Sequence, residues 1–189
     1  MCGIAGYIGE TKNPSECLAK MAQAINHRGP DSNGIWTDFK QIGLAHTRLS
    51  ILDLSDAGHQ PMHSVSGNYV LIFNGEIYNH KYLRSELESI SNRNWLGHSD
   101  TETLLASIEE WGIENTLSKV KGMFAIALWD KRSKNLYLSC DRIGEKPLYY
   151  GWVNEQFVFA SELKSIKQFP KFNNEIDRNS LAMFLRFNS

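Results

Sequence analysis

The chain has 189 residues, 42% of them hydrophobic and 11% aromatic. That suits one sizeable domain with its own core and excludes disorder as the main state. With 20 basic against 21 acidic residues the net charge is −1, which excludes the basic bias of a nucleic-acid or anionic-membrane binder. The longest apolar run, Met123 to Trp129, falls far short of the ~20 residues a membrane helix needs. No leader-like segment opens the chain, and three cysteines are too few for a disulfide scaffold. The expectation is a cytoplasmic protein with reduced thiols, no membrane partner and no nucleic acid.

Cys2 to Gly9 reads as a short buried strand. Asn13, Pro14 and Glu16 form a helix start with Pro at the first helical position, and Leu18, Met21, Ala22 and Ile25 follow as one apolar stripe. A polar loop spans His27 to Gly34. Strands are predicted at Gly34–Phe39, Ile42–Leu52 and Tyr69–Tyr78, the last preceded by a Ser66-Gly67-Asn68 turn. Helices follow at Lys81–Ile90 and Thr101–Trp111. Four more strands are expected at Met123–Trp129, Leu136–Asp141, Leu148–Val153 and Phe157–Ala160, then a short helix from Glu162 and a terminal one after Asp177. Strands arriving in runs predict an α+β fold with antiparallel sheets and helices packed outside. Residues 2–180 read as one domain, and 181–189 as the truncated first turns of another.

The chemistry starts at Cys2. With Met1 removed, this residue carries a thiol and a free α-amine on one Cα. An α-amine has a pKa of about 7.7–8.0, so part of it is unprotonated near neutrality and can accept the thiol proton. Nucleophile and base then come from one residue; the alternative is a small residue that merely packs. Asn74-Gly75 offers a side-chain NH₂ and a backbone N–H to an oxyanion, or else a hairpin turn. Arg48 suits a carboxylate, or a strand surface. Asp100 and Glu76 suit an ammonium, although Asp100 also stands where a helix N-cap would. The six histidines show no metal spacing, so no metal is expected. Cys17 and Cys140 read as inert core thiols, and Asp141-Arg142 with Lys146-Pro147 as a strand-end turn holding an ion pair.

Nine segments in order give these residues a context: Cys2-Gly-Ile-Ala-Gly, His27-Arg-Gly-Pro-Asp31, Arg48-Leu-Ser-Ile-Leu-Asp53, Gly58-His-Gln-Pro-Met62, Phe73-Asn-Gly-Glu-Ile-Tyr-Asn79, Ser99-Asp-Thr-Glu102, Phe124-Ala-Ile-Ala-Leu-Trp-Asp130, Asp141-Arg-Ile-Gly-Glu-Lys-Pro-Leu-Tyr-Tyr150 and Phe159-Ala-Ser-Glu-Leu-Lys164. Together they resemble the glutaminase domain of glutamine-hydrolysing asparagine synthetases, which are class II glutamine amidotransferases among the N-terminal-nucleophile hydrolases. The resemblance implies an αββα sandwich of two mainly antiparallel sheets between helical layers. It implies hydrolysis of the glutamine side-chain amide to glutamate and ammonia through a Cys2 thioester.

It also assigns Cys2, Asn74 and Gly75 to catalysis, and Arg48, Leu49, Ser50, Ile51, Leu52, Asn74, Gly75, Glu76 and Asp100 to glutamine. The implied partners are L-glutamine and a C-terminal synthetase domain, absent here; a homodimer is left open. No cofactor is expected in this domain, ATP and Mg belonging only to the synthetase half. An amidotransferase serving another acceptor and a non-catalytic glutamine-binding module are the competing readings.

Overall fold

Strands whose adjacent residues are all apolar need cover on both faces. The computed structural model, which describes residues 1–50 and 55–187, supplies it in four layers. In chain order the elements are β1 (Gly3–Ile8), α1 (Pro14–Ala24), β2 (Ser32–Thr37), β3 (Ile42–Arg48), β4 (Met62–His63), β5 (Tyr69–Ile77), α2 (His80–Ile90), α3 (Asp100–Trp111) and α4 (Ile113–Lys119). They continue with β6 (Gly122–Asp130), β7 (Asn135–Cys140), β8 (Tyr149–Val153), β9 (Gln156–Ala160), α5 (Leu163–Ile166) and α6 (Arg178–Phe187). One sheet has the order β2-β3-β1-β9-β8 and the other β4-β5-β6-β7. Every pairing is antiparallel.

The two-residue period of the strands sorts their side chains into layers. Ala5 and Tyr7 of β1 face outward onto Leu18 and Met21 of α1 and Ile166 of α5. In the second sheet Leu71, Phe73, Ile126 and Leu128 face outward onto Leu83, Leu104 and Ile108 of α2 and α3. The intervening positions, Ile4, Ile42, Leu44, Val70, Ile72, Ala125, Ala127 and Trp129, meet between the sheets. The result is the αββα sandwich that the resemblance implies, built from the antiparallel sheets that the strand runs predict. A polar tie joins the layers: His46 of β3 is fully buried and its Nε2–H donates to Phe73 O of β5 at 3.2 Å. Burial depresses its pKa to about 3, so the ring is neutral at physiological pH.

Two elements escape the sequence reading. α4 follows Gly112, whose φ of 77° ends α3, and it closes on the second outer core through Ile113, Leu117 and the succeeding Val120. β4 has two residues paired with Leu71 and Val70, too few to show a period. Two local expectations need correction. Cys140 is exposed, not a core thiol. Asp141 makes no ion pair with Arg142 or Lys146; its carboxylate accepts N–H bonds from Phe124, Ile143, Glu145 and Lys146 at 3.0–3.2 Å, pinning the 141–146 loop to β6.

Candidate active site

The inward-facing series of three strands runs out at one end of the interlayer, and the chemistry stands there. Cys2 continues the parity of Ile4, Arg48 that of Ile42, Leu44 and His46, and Asn74 that of Val70 and Ile72. Because β1 and β3 are antiparallel, with Gly3 opposite Thr47, the start of one strand lies beside the end of the other. Cys2, Arg48, Leu49, Ser50, Asn74, Gly75, Glu76 and Asp100 all line one cavity of about 110 Å³. Ile51 and Leu52, the other two predicted positions, lie outside the described residues.

Cys2 Sγ is held by one peptide group on either side of Leu49: the Leu49 N–H donates to the sulfur at 3.4 Å, and the thiol donates to Leu49 O at 3.7 Å. Burial pushes the thiol pKa above its ordinary value; the Leu49 N–H and the positive charges of the N-terminus and Arg48 pull it only partly back. The sulfur is therefore a thiol at neutral pH and needs a base when it reacts. Behind it, Arg28 Nε donates to Cys2 O at 2.9 Å while Arg28 Nη1 holds Glu162 at 3.0 Å. Burial alone would raise the Glu162 pKa, but its bonds from Arg28, Lys164 and His27 win and hold it at about 2. The 27–31 loop is fastened to the same strand end, as Asp31 N donates to Arg48 O at 3.0 Å and Ser50 N donates to Asp31 Oδ2 at 2.8 Å.

Asn74-Gly75 is not a hairpin turn. Both residues sit inside β5, paired with Ala125 and Phe124. A Cβ on Gly75 would lie 2.2 Å from Met123 O and 2.7 Å from Phe124 Cα, so no side chain fits without moving β6. Asn74 is 1% exposed, and among the described residues its Nδ2 has no hydrogen-bond partner. A buried amide donor without an acceptor costs about 1–3 kcal/mol, which makes it a ready site for an oxygen that develops charge.

Arg48 is buried, not a strand-surface residue, and Nη1 donates to Ser55 O at 2.9 Å. Asp100 is not the cap of α3: Ser99 is, accepting the Glu102 N–H at 3.1 Å. Asp100 turns inward and accepts the Ile77 N–H at 2.8 Å. Burial lifts its pKa to about 6, with the charge of Glu76 adding to the rise and backbone N–H bonds from Ile77, Thr101 and its own residue opposing it.

Gln60, in the Gly58–Met62 segment but outside the predicted site, and Lys146, read from the sequence only as part of a strand-end turn, both line the cavity. Gln60 is buried; its Oε1 accepts the Phe73 N–H at 2.6 Å and its Nε2 donates to Thr101 Oγ1 at 3.3 Å. It thus ties the strand bearing Asn74 to the helix bearing Asp100. Gln60 is the centre of a quoted motif, but its bonds reach 13 and 41 residues along the chain, beyond any local pattern. Among the described residues, no group of three or more His, Cys, Asp or Glu side chains could hold a metal ion, and no helix is long and apolar enough to cross a membrane.

This layering is also the fold of a solved amidotransferase. A glutamine phosphoribosylpyrophosphate amidotransferase from Bacillus subtilis aligns with a TM-score of 0.74 at 23% identity, over 88% of this chain and 43% of that one. The family model of the glutamine amidotransferase domain matches residues 1–189, and the chain belongs to that family. The glutamine-hydrolysing asparagine synthetase 1 of Bacillus subtilis is 41% identical over 192 residues, covering 99% of this chain and 30% of that protein. Its asparagine synthetase 2 is 42% identical over 175 residues, covering 90% of this chain and 23% of that protein. The chain therefore spans about a quarter to a third of the length of these relatives.

Proposed function

We propose that this domain, once Met1 has been removed, hydrolyses the side-chain amide of L-glutamine through a Cys2 thioester. The observation that carries this reading is the pairing of a cavity-lining cysteine with the buried Asn74 Nδ2 on the facing sheet, which has no partner among the described residues. The α-amine of Cys2 takes the thiol proton as sulfur attacks the amide carbon. The carbonyl oxygen becomes an oxyanion, received by Asn74 Nδ2 and the Gly75 N–H. Collapse breaks the C–N bond, the ammonium returns the proton to the leaving nitrogen, and ammonia departs. Water then attacks the thioester with the amine again as base, releasing glutamate and restoring the thiol. Arg48 takes the α-carboxylate of glutamine, while Asp100 and Glu76 take its α-ammonium; Leu49 and Ser50 present backbone.

The relatives bear the name asparagine synthetase. We accordingly assign the ammonia to an ATP-dependent, asparagine-forming segment, with ATP and Mg bound there and this domain comprising residues 2–180. The experiment is ammonia release from glutamine by protein whose Met1 removal is verified by mass spectrometry. Glutamate and ammonia are expected in equal amounts. Binding of glutamine without turnover overturns the reading in favour of a binding module.

The position of Asp100 also sets a pH dependence. Its carboxyl, lifted to about 6, is ionised above that pH and gains a proton below it, losing the charge matched to an ammonium. Glutamine Kd is expected to rise about tenfold per unit as pH falls below about 6. Calorimetry on the Cys2→Ala protein measures this without turnover, and Asp100→Asn should bind weakly with that dependence abolished.

A further inference from the structure

Lys146 is 6% exposed and lines the same cavity as Cys2, Asn74 and Asp100. Among the described residues no carboxylate pairs with it, and its Nζ bonds only to Met1 Sδ, at 3.2 Å. A thioether is a weak acceptor, and a buried ammonium without an anion is costly. Its backbone is nonetheless held in place, since Lys146 N is one of the four amides that Asp141 gathers. Five covalent bonds separate Met1 Sδ from Cys2 N, so the ammonium lies within about 9 Å of that nitrogen.

We propose that, in the processed protein, Lys146 faces the α-amine of Cys2 and keeps it in its free-base form. This rests on the reading of Cys2 as an N-terminal nucleophile. The charges around that amine come from every side of the cavity. Arg48 opposes its protonation, Glu76 and Asp100 favour it, and Arg28 behind the Cys2 carbonyl is matched by Glu162. Without Lys146 the two carboxylates outnumber Arg48, and the amine gains a proton. With Lys146 the cavity charges of the described residues stand two against two. At about 9 Å and an effective dielectric of about 20, one added cation depresses an amine by about one pH unit. Lys146 is thus a residue that sets the charge state of the base, not one that touches glutamine.

The test compares Met1-processed wild type, Lys146→Met and Lys146→Arg by the pH profile of kcat/KM. The acid limb is expected about one unit higher in Lys146→Met and restored in Lys146→Arg, with KM at high pH unchanged. A raised KM with an unmoved limb overturns the proposal in favour of substrate recognition; a lowered Tm with an unmoved limb reduces Lys146 to a structural role. A second readout needs no turnover: acylation of the position-2 α-amine against pH, with Cys2→Ala as background and Lys146 or Lys146→Gln. Its midpoint should rise by about one unit in the Lys146→Gln protein, and an unchanged midpoint overturns the proposal. If processed wild type releases no ammonia, the hydrolytic reading fails, and the acylation midpoint still decides whether Lys146 acts on the amine.

Discussion

Cys2→Ala is expected to abolish ammonia release from glutamine, by a factor of 10⁴ or more on the general scale of nucleophile deletions (roughly 10⁴–10⁶), while glutamine binding stays measurable by calorimetry. The sulfur is the only atom removed, and the Arg48 and Asp100 contacts proposed for the substrate do not pass through it. The same loss is expected with the sulfur intact and Met1 retained. The Cys2 nitrogen is then an amide with no basicity, and Met1 itself lines the cavity. Among the described residues the sulfur bonds only to Leu49, and a thiol whose pKa burial has raised does not ionise unaided. Turnover by Met1-retained protein at the processed rate would show that some other group accepts the proton.

Asn74→Ala is expected to lower kcat about 10²–10³-fold, the usual cost of deleting one oxyanion donor, with KM for glutamine little changed. Among the described residues the amide nitrogen is buried without a partner in the free protein, so its bond forms only when the carbonyl oxygen moves out of plane and gains charge. The loss of stability should be smaller than for a normal core truncation. Removing an unsatisfied donor offsets part of the lost packing, so Tm should fall less than for Ile72→Ala, two residues away on the same inward face of β5. A parallel rise in KM would instead place Asn74 in ground-state binding.

The sequence made most of this architecture legible because its periods are clean. The stripe of Leu18, Met21 and Ile25 and the strand runs at 69–78 and 123–129 lie where helix and strands stand. What stayed hidden was short or non-local. β4 is two residues long, and α4 lies directly behind α3 across a single glycine. Asn74-Gly75 carries a turn signature that the β6 ladder overrides, because Gly75 is needed where Met123 O comes close. Ser99 and Asp100 are both cap-forming types, and only the position of β5 decides which one caps and which turns inward. Strand parity held an unread clue: Cys2, Arg48 and Asn74 share the register of the residues between the sheets.

The cross-layer bond from His46 to Phe73 O has a consequence for turnover. The attacking atom rides on one slab of the sandwich and the amide that must meet the oxyanion rides on the other. Their separation is therefore a gap whose width is set by filler residues and by this single neutral imidazole. Its pKa of about 3 leaves that gauge unchanged across the physiological pH range. A modest error in filler thickness, far from any reacting group, would reach the reaction as misalignment of two halves that are each intact.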